Sequence, residues 1–156
     1  MKAVIAIMSA SILLLGCATT SSVTTGAQGT IDQLHTVAFV PQGGSSVDVD
    51  NDIQRALLAQ GADIRATAPS GTRKMAGVDA VVSYEDVWRW DMVMYMKSID
   101  IDVFDANTGS LLVAGHWENS PLHGYQDPAK VIGHVVTDMF HKMGWGHPAK
   151  YGVVTH

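Results

Sequence analysis

The sequence has little of several features that commonly reveal a function. Its 156 residues include a single cysteine, Cys17, so a framework of intramolecular disulfides is excluded. Ten Lys and Arg face 15 Asp and Glu, and this acidic balance argues against nucleic acid or anionic lipid headgroups as partners. It contains no nucleophile elbow, phosphate-binding glycine loop or HExxH pair, so we expect a protein that is not an enzyme and carries no cofactor.

Residues 1–16 are predicted to be a signal peptide. Lys2 precedes an apolar run that ends at Leu15, too short to span a bilayer. The run closes in LLGC, which resembles the lipobox of bacterial lipoproteins. The resemblance implies cleavage before Cys17 and acylation of its thiol and new amino group. Because Ala18 rather than Asp follows, the family's sorting rule implies the periplasmic face of the outer membrane. The alternative is an ordinary secretory signal that happens to contain a cysteine.

Three segments are expected in the mature chain. Residues 17–30 hold the lipidated cysteine and a flexible tether, because they carry no charge and few side chains that could pack. Residues 31–143 are long enough for one domain with one core. Residues 144–156 lack periodicity and are expected to be a loosely ordered tail. The rest of the sequence contains no long apolar run, so a second membrane contact is not predicted.

The domain is predicted to alternate strands and helices. Short β-branched runs predict strands at Thr36–Val40 and Asp63–Thr67, and three further strands joined by tight turns fill Asp79–Trp117. Apolar residues spaced three and four apart predict helices at Asp48–Gln60 and Asp127–Met143. The expected fold is α/β (α+β), β-α-β-loop-β-β-β-α: a mixed sheet that includes a three-strand antiparallel meander, with both helices packed on one face.

Two resemblances extend this reading. The TVAFV strand, the first helix and SIDIDVFDANTG resemble the α/β periplasmic domains of the CsgG, FlgO and TolB N-terminal families. More closely, WRWDMVMYM followed by DANTGSLLVAG is similar to a group of small outer-membrane lipoproteins of Gram-negative bacteria. These resemblances imply a cell-envelope protein and bring no particular activity, because one fold hosts many functions.

The middle of the meander is the predicted interaction surface. Ile99, Ile101 and Val103 alternate with polar residues, as in a strand with one dry face, whereas residues 92–96 are apolar on both sides. Two helices can cover only one face, so an exposed patch is expected that binds another envelope protein or a second copy. The alternative cover is the loop at Pro69–Met75 or the C-terminal tail. The predicted surface comprises Trp88, Trp90, Met92, Met94 and Met96.

Metal binding is the second hypothesis. Met92, Met94 and Met96 point the same way on a regular strand, and thioethers select Cu(I); His116 could join them from the neighbouring strand. This alternative function is periplasmic copper binding, against the ordinary use of methionine to fill packed layers. A zinc site is a further possibility on the last helix, where one face carries His134, Asp138 and His141; the alternative is a solvated helix face.

Overall fold

The computed structural model describes residues 19–26, 34–42, 47–120 and 124–144. These ranges contain six strands and two helices, in a mixed sheet of order β1-β6-β5-β4-β2-β3. This confirms the predicted α+β class. The elements are β1 (Thr20–Thr25), β2 (Thr36–Phe39), α1 (Val47–Ala59), β3 (Asp63–Thr67), β4 (Ala80–Asp91), β5 (Val93–Asp105), β6 (Leu111–Glu118) and α2 (Pro128–Lys142).

The parallel half of the sheet is a crossover unit. Strand β2 pairs in parallel with β3 and with β4, and α1 makes the connection from β2 to β3. Helix α1 turns Val49, Ile53 and Leu57 inward at every fourth residue, and all three are buried. Gly61 ends the helix with a φ of 85°, a left-handed conformation that glycine adopts without strain.

A carboxylate joins the start of β2 to the start of β4. Asp79 Oδ2 accepts hydrogen bonds from the backbone N–H groups of His35 (3.0 Å) and Thr36 (2.7 Å) and from Thr36 Oγ1 (2.7 Å). The Thr36 backbone bond, helped by its hydroxyl and by His35, keeps the pKa of Asp79 below its ordinary value. The ionised carboxylate therefore holds the two strand ends in register.

Both helices lie on one face of the sheet, as predicted. Helix α2 begins behind Asp127, whose side chain accepts the Ala129 N–H at 3.1 Å, with Pro128 in the first turn. It packs on β6 at Gly115, where a side chain would collide with Val135 and Met139. The core between sheet and helices includes Phe39, Ile53, Leu57, Val82, Tyr84, Ile99, Ile101, Trp117, Ile132, Val136 and Phe140.

The loop between β3 and β4 covers part of the other face. It closes over a small cluster of Ala38, Val40 and Val81 together with its own Ala68 and Val78. Arg73 lies 4.9 Å above the Phe104 ring, and the Met75 N–H donates to the Ala106 carbonyl at 3.0 Å. The loop therefore covers the second face of the sheet in part, as the alternative predicted. It lies over β2 and the beginning of β4 rather than over the methionines.

The predicted flexible tether needs correction over six of its residues. Thr20–Thr25 form β1, which pairs antiparallel with β6 along its whole length and makes an edge of the sheet. Val23 lies opposite Gly115 and packs on the core. A segment this polar is held by its backbone hydrogen bonds to an available strand edge rather than by its side chains. The signal peptide, Cys17 and the tail after Gly144 lie outside the described residues.

Candidate functional site

The candidate site is the hairpin of β4 and β5, which extends beyond the helices. Strands of 12 and 13 residues span about 40 Å, whereas a 15-residue helix covers only about 22 Å. The two strands pair from Ala80–Asp105 to Asp91–Val93. The far end of the hairpin is therefore left without a helix above it.

A bulge in β5 sets which side chains face the helices. Val87 pairs with Ser98 and Trp88 with Met96, so Lys97 is an extra residue. The extra residue reverses the alternation, and Met94 and Met96 therefore continue the face formed by Ile99 and Ile101. Strict alternation would have placed them on the opposite face.

The predicted row of methionines is divided by this geometry. Met96 is 2 % exposed and belongs to the core, with Trp88 half-buried beside it. Trp90 is 71 % exposed, Met94 56 % and Met92 85 %. The expectation that all five predicted residues lie on an uncovered face is wrong. Their exposure instead depends on how far each one lies beyond the end of the helices.

The exposed end carries four apolar residues, which we call the hairpin patch: Trp90, Met92, Val93 and Met94. Trp90 and Met94 are paired across the strands, and Met92 makes the turn with a φ of 60°. Among the described residues, large apolar side chains are also exposed at Leu58, Val87 and Tyr125. All of these except Leu58 lie on the hairpin or against it.

Tyr125 supports the hairpin from the segment before α2. Its ring packs on Tyr95 with centroids 5.7 Å apart, and its hydroxyl donates to the Asp91 carbonyl at 2.5 Å. Tyr125 follows no strand or helix periodicity, so no local pattern could have indicated its position.

The structure does not bring together the predicted copper ligands. Met96 lies in the core, and His116 lies on the opposite face, where its Nδ1 is 2.6 Å from Asp100 Oδ1. Met92 and Met94 remain at the exposed end of the hairpin. His134, Asp138 and His141 are exposed on α2. Within the part of the chain that the structure describes, no group of three or more His, Cys, Asp or Glu side chains is arranged to hold a metal ion.

An acidic cleft of about 400 Å³ lies on the face away from the helices. Glu85, Asp100 and Asp102 line it, together with Arg73 from the covering loop. Burial and, secondly, the charge of Asp100 raise the pKa of Asp102. The third aspartate of this region, Asp105, instead caps the β5–β6 turn by accepting the N–H groups of Asn107 and Thr108.

The sequence matches no family model and no curated protein. Among solved structures, the chain is similar to PelC from Paraburkholderia phytofirmans, which was crystallised as a dodecamer. In the C2 crystal form of a point variant, the TM-score is 0.58 at 15 % identity, over 82 % of this chain and 99 % of that chain. In the P6 form the TM-score is 0.55 at 13 % identity, over 81 % and 97 %. The two proteins share a fold.

A minor lipoprotein from Acinetobacter baumannii matches with a TM-score of 0.34 at 11 % identity, over 71 % of this chain and 91 % of that chain. The resemblance to the CsgG, FlgO and TolB N-terminal families stays a prediction. None of the helices in the described ranges combines the length and the apolar character needed to cross a bilayer.

Proposed function

We propose that this protein is a lipid-anchored, non-enzymatic assembly module of the cell envelope. Acyl chains on Cys17 hold it at the periplasmic face of the outer membrane, since each buried methylene contributes about 0.8 kcal/mol to membrane binding. Its domain associates with further copies of itself, and its exposed hairpin meets another component of the envelope.

The observation that carries this proposal is the hairpin patch. Four neighbouring residues, among them a tryptophan and two methionines, lie in water at the end of a well-packed hairpin. Exposed apolar surface of this kind marks interaction sites in folded proteins. The PelC dodecamer supports the association of copies, because a chain with this fold, which the match covers almost completely, assembles in that way.

Self-association is tested by sedimentation of the mature chain. Residues 17–156 carrying Cys17→Ser, which removes the acylation site, are expected to form one oligomer of defined size as the concentration rises. The acylated protein in detergent should give the same size. A monomer at every concentration in both preparations would overturn the assembly proposal.

The anchor is tested separately by metabolic labelling with a palmitate analogue. Label is expected on the wild-type protein and not on Cys17→Ser. Equal labelling of both proteins contradicts a lipid on Cys17.

A further inference from the structure

Strand β1 begins at the end of the sheet where the hairpin patch lies. Thr20 pairs with Glu118, Glu118 with Ser98 and Ser98 with Val87, so Thr20 and Val87 occupy one row across four strands. Strand β1 runs away from this row towards Thr25, which is level with Val113 and Val103. Strand β1 therefore begins at the end of the sheet from which the hairpin projects.

The reach of each element can be compared. Met92 is five residues beyond Val87, which places the tip of the hairpin about 16 Å past the row at about 3.3 Å per residue. Cys17 is three residues before Thr20, so the covalent chain lets it extend at most about 11 Å past the same row. Three strand spacings separate β1 from β4 sideways, about 14 Å. A lipid on Cys17 thus brings the membrane within reach of the hairpin.

We propose that the hairpin patch is a second membrane contact, which enters the interfacial layer of the leaflet that holds the Cys17 acyl chains. The inference rests on the anchor in the proposed function and names the component that the hairpin meets. The occupant is phospholipid, because β1 begins on the patch side of the sheet only three residues after Cys17, which leaves little depth for a protein between patch and leaflet.

The chemistry of the hairpin fits the interface rather than the bilayer core. Trp90 is of the residue type that concentrates at the boundary between headgroups and acyl chains, and Tyr125 beside the hairpin is of the same class. The four patch residues are uncharged, while Arg89 precedes them and Asp91 lies between Trp90 and Met92; these two charges favour headgroup depth. Charge attraction is not needed, which agrees with the acidic balance of the chain. The sequence predicted no second membrane contact because the hairpin is not a long apolar run.

In the test, the protein is attached covalently to vesicles through the thiol of Cys17. Unacylated chain from residue 17 onward is coupled by its only thiol to a maleimide phospholipid, in vesicles of phosphatidylethanolamine and phosphatidylglycerol that contain phosphatidylcholine with brominated acyl chains. Bromine quenches tryptophan emission only at close approach. Three proteins are compared: wild type, Trp90→Phe, and Trp90→Phe with Leu58→Trp.

The last protein is the matched control, because it moves the exposed tryptophan to the far end of the molecule. Leu58 is also exposed, and it lies at the end of α1, five residues before the start of β3 at Asp63. Asp63 is level with Thr36 at the start of β2. Strands β2 and β4 run in parallel, so this end is opposite the hairpin. The other three tryptophans, Trp88, Trp117 and Trp145, are present in all three proteins and cancel in the comparison.

We expect wild-type emission to be quenched by the brominated lipid. Quenching should fall at least threefold in Trp90→Phe and should not recover when tryptophan is placed at Leu58. A fourth protein, Met92→Asp with Met94→Asp, changes only exposed side chains and should lose Trp90 quenching while it keeps its unfolding midpoint.

Two results would overturn the inference. Equal quenching of wild type and Trp90→Phe would place Trp90 outside the lipid. Blue-shifted but unquenched Trp90 emission would mean that a second copy of the chain covers the patch. Because the coupling supplies the anchor, a failure of palmitate labelling in cells overturns the proposed anchor without changing this measurement. A failure of quenching here leaves the labelling result intact.

Discussion

Replacing Gly115 with alanine should push helix α2 away from the sheet. Gly115 lies on β6 directly under α2, and a methyl group there would stand 2.5 Å from Met139 Sδ and 2.6 Å from Val135 Cγ1. Ordinary contacts of a Cβ atom are 3.4–4 Å, so each neighbour has to move by about 1 Å. Both neighbours are buried, and the β-branched Val135 has little rotamer freedom with which to adjust.

The size of the effect follows from two opposing contributions. Overpacking of a dense core costs about 1–3 kcal/mol. Replacing glycine by alanine restricts the unfolded chain and returns about 0.4–1 kcal/mol. The net expectation is that Gly115→Ala lowers the free energy of unfolding by about 1–2 kcal/mol. This corresponds to a Tm lower by about 3–8 °C for a domain of this size.

Gly133→Ala is the matched control, because the same substitution should have the opposite sign. Gly133 lies inside α2 with nothing within 4 Å of an added methyl group, so alanine should stabilise the helix by about 0.5–1 kcal/mol. The assay is urea unfolding, followed by circular dichroism, with m-values compared to show that the transition is unchanged in kind. A Gly115→Ala protein as stable as wild type, with the same m-value, would refute the close packing of α2 on β6.

Four further predictions test the division of the methionines, two aspartates with shifted pKa values and β1. Met96→Ala should lower the free energy of unfolding by about 2–5 kcal/mol, whereas Met94→Ala should change it by less than about 0.5 kcal/mol; equal effects would contradict the bulge in β5. The hydrogen bonds of Asp79 lower its pKa in the folded protein below the value of about 4 that it has in the unfolded chain. The carboxylate therefore stabilises the fold at a pH above that unfolded-state pKa, and this stabilisation is lost as the pH falls through the folded-state pKa. The Tm of Asp79→Asn should therefore be below wild type at pH 7 and approach it at pH 3. Burial raises the pKa of Asp102, so its ionised form costs stability above the folded pKa; Asp102→Asn should unfold at a higher Tm than wild type at pH 7 and equal it at pH 3. A wild-type-like Tm for both variants across this range would contradict these assignments. In amide hydrogen exchange followed by NMR, alternate residues of Thr20–Thr25 should be protected by their hydrogen bonds to β6. Uniformly fast exchange would instead support the prediction of a flexible tether.

Local patterns in the sequence were sufficient for most of the elements. The β-branched run predicted β3 with its observed bounds, and the apolar stripes placed both helices to within one residue at each end. The alternation from Ile99 to Val103 also identified the face that packs on the helices, because all three apolar residues of this segment are buried. These features depend on the preferences of neighbouring residues, which a single sequence displays directly.

The tertiary structure decided which part of the candidate site is exposed. The bulge at Lys97 arises from the pairing of β4 with β5. Because of it, Met96 lies in the core, whereas the sequence predicted it on the surface. Strand β1 has almost no apolar signal of its own and forms because β6 offers an open edge. The hairpin patch is exposed because two strands are longer than the helices beside them. Each of these results depends on pairing or packing between separate segments, and the periodicity within any one segment does not show it.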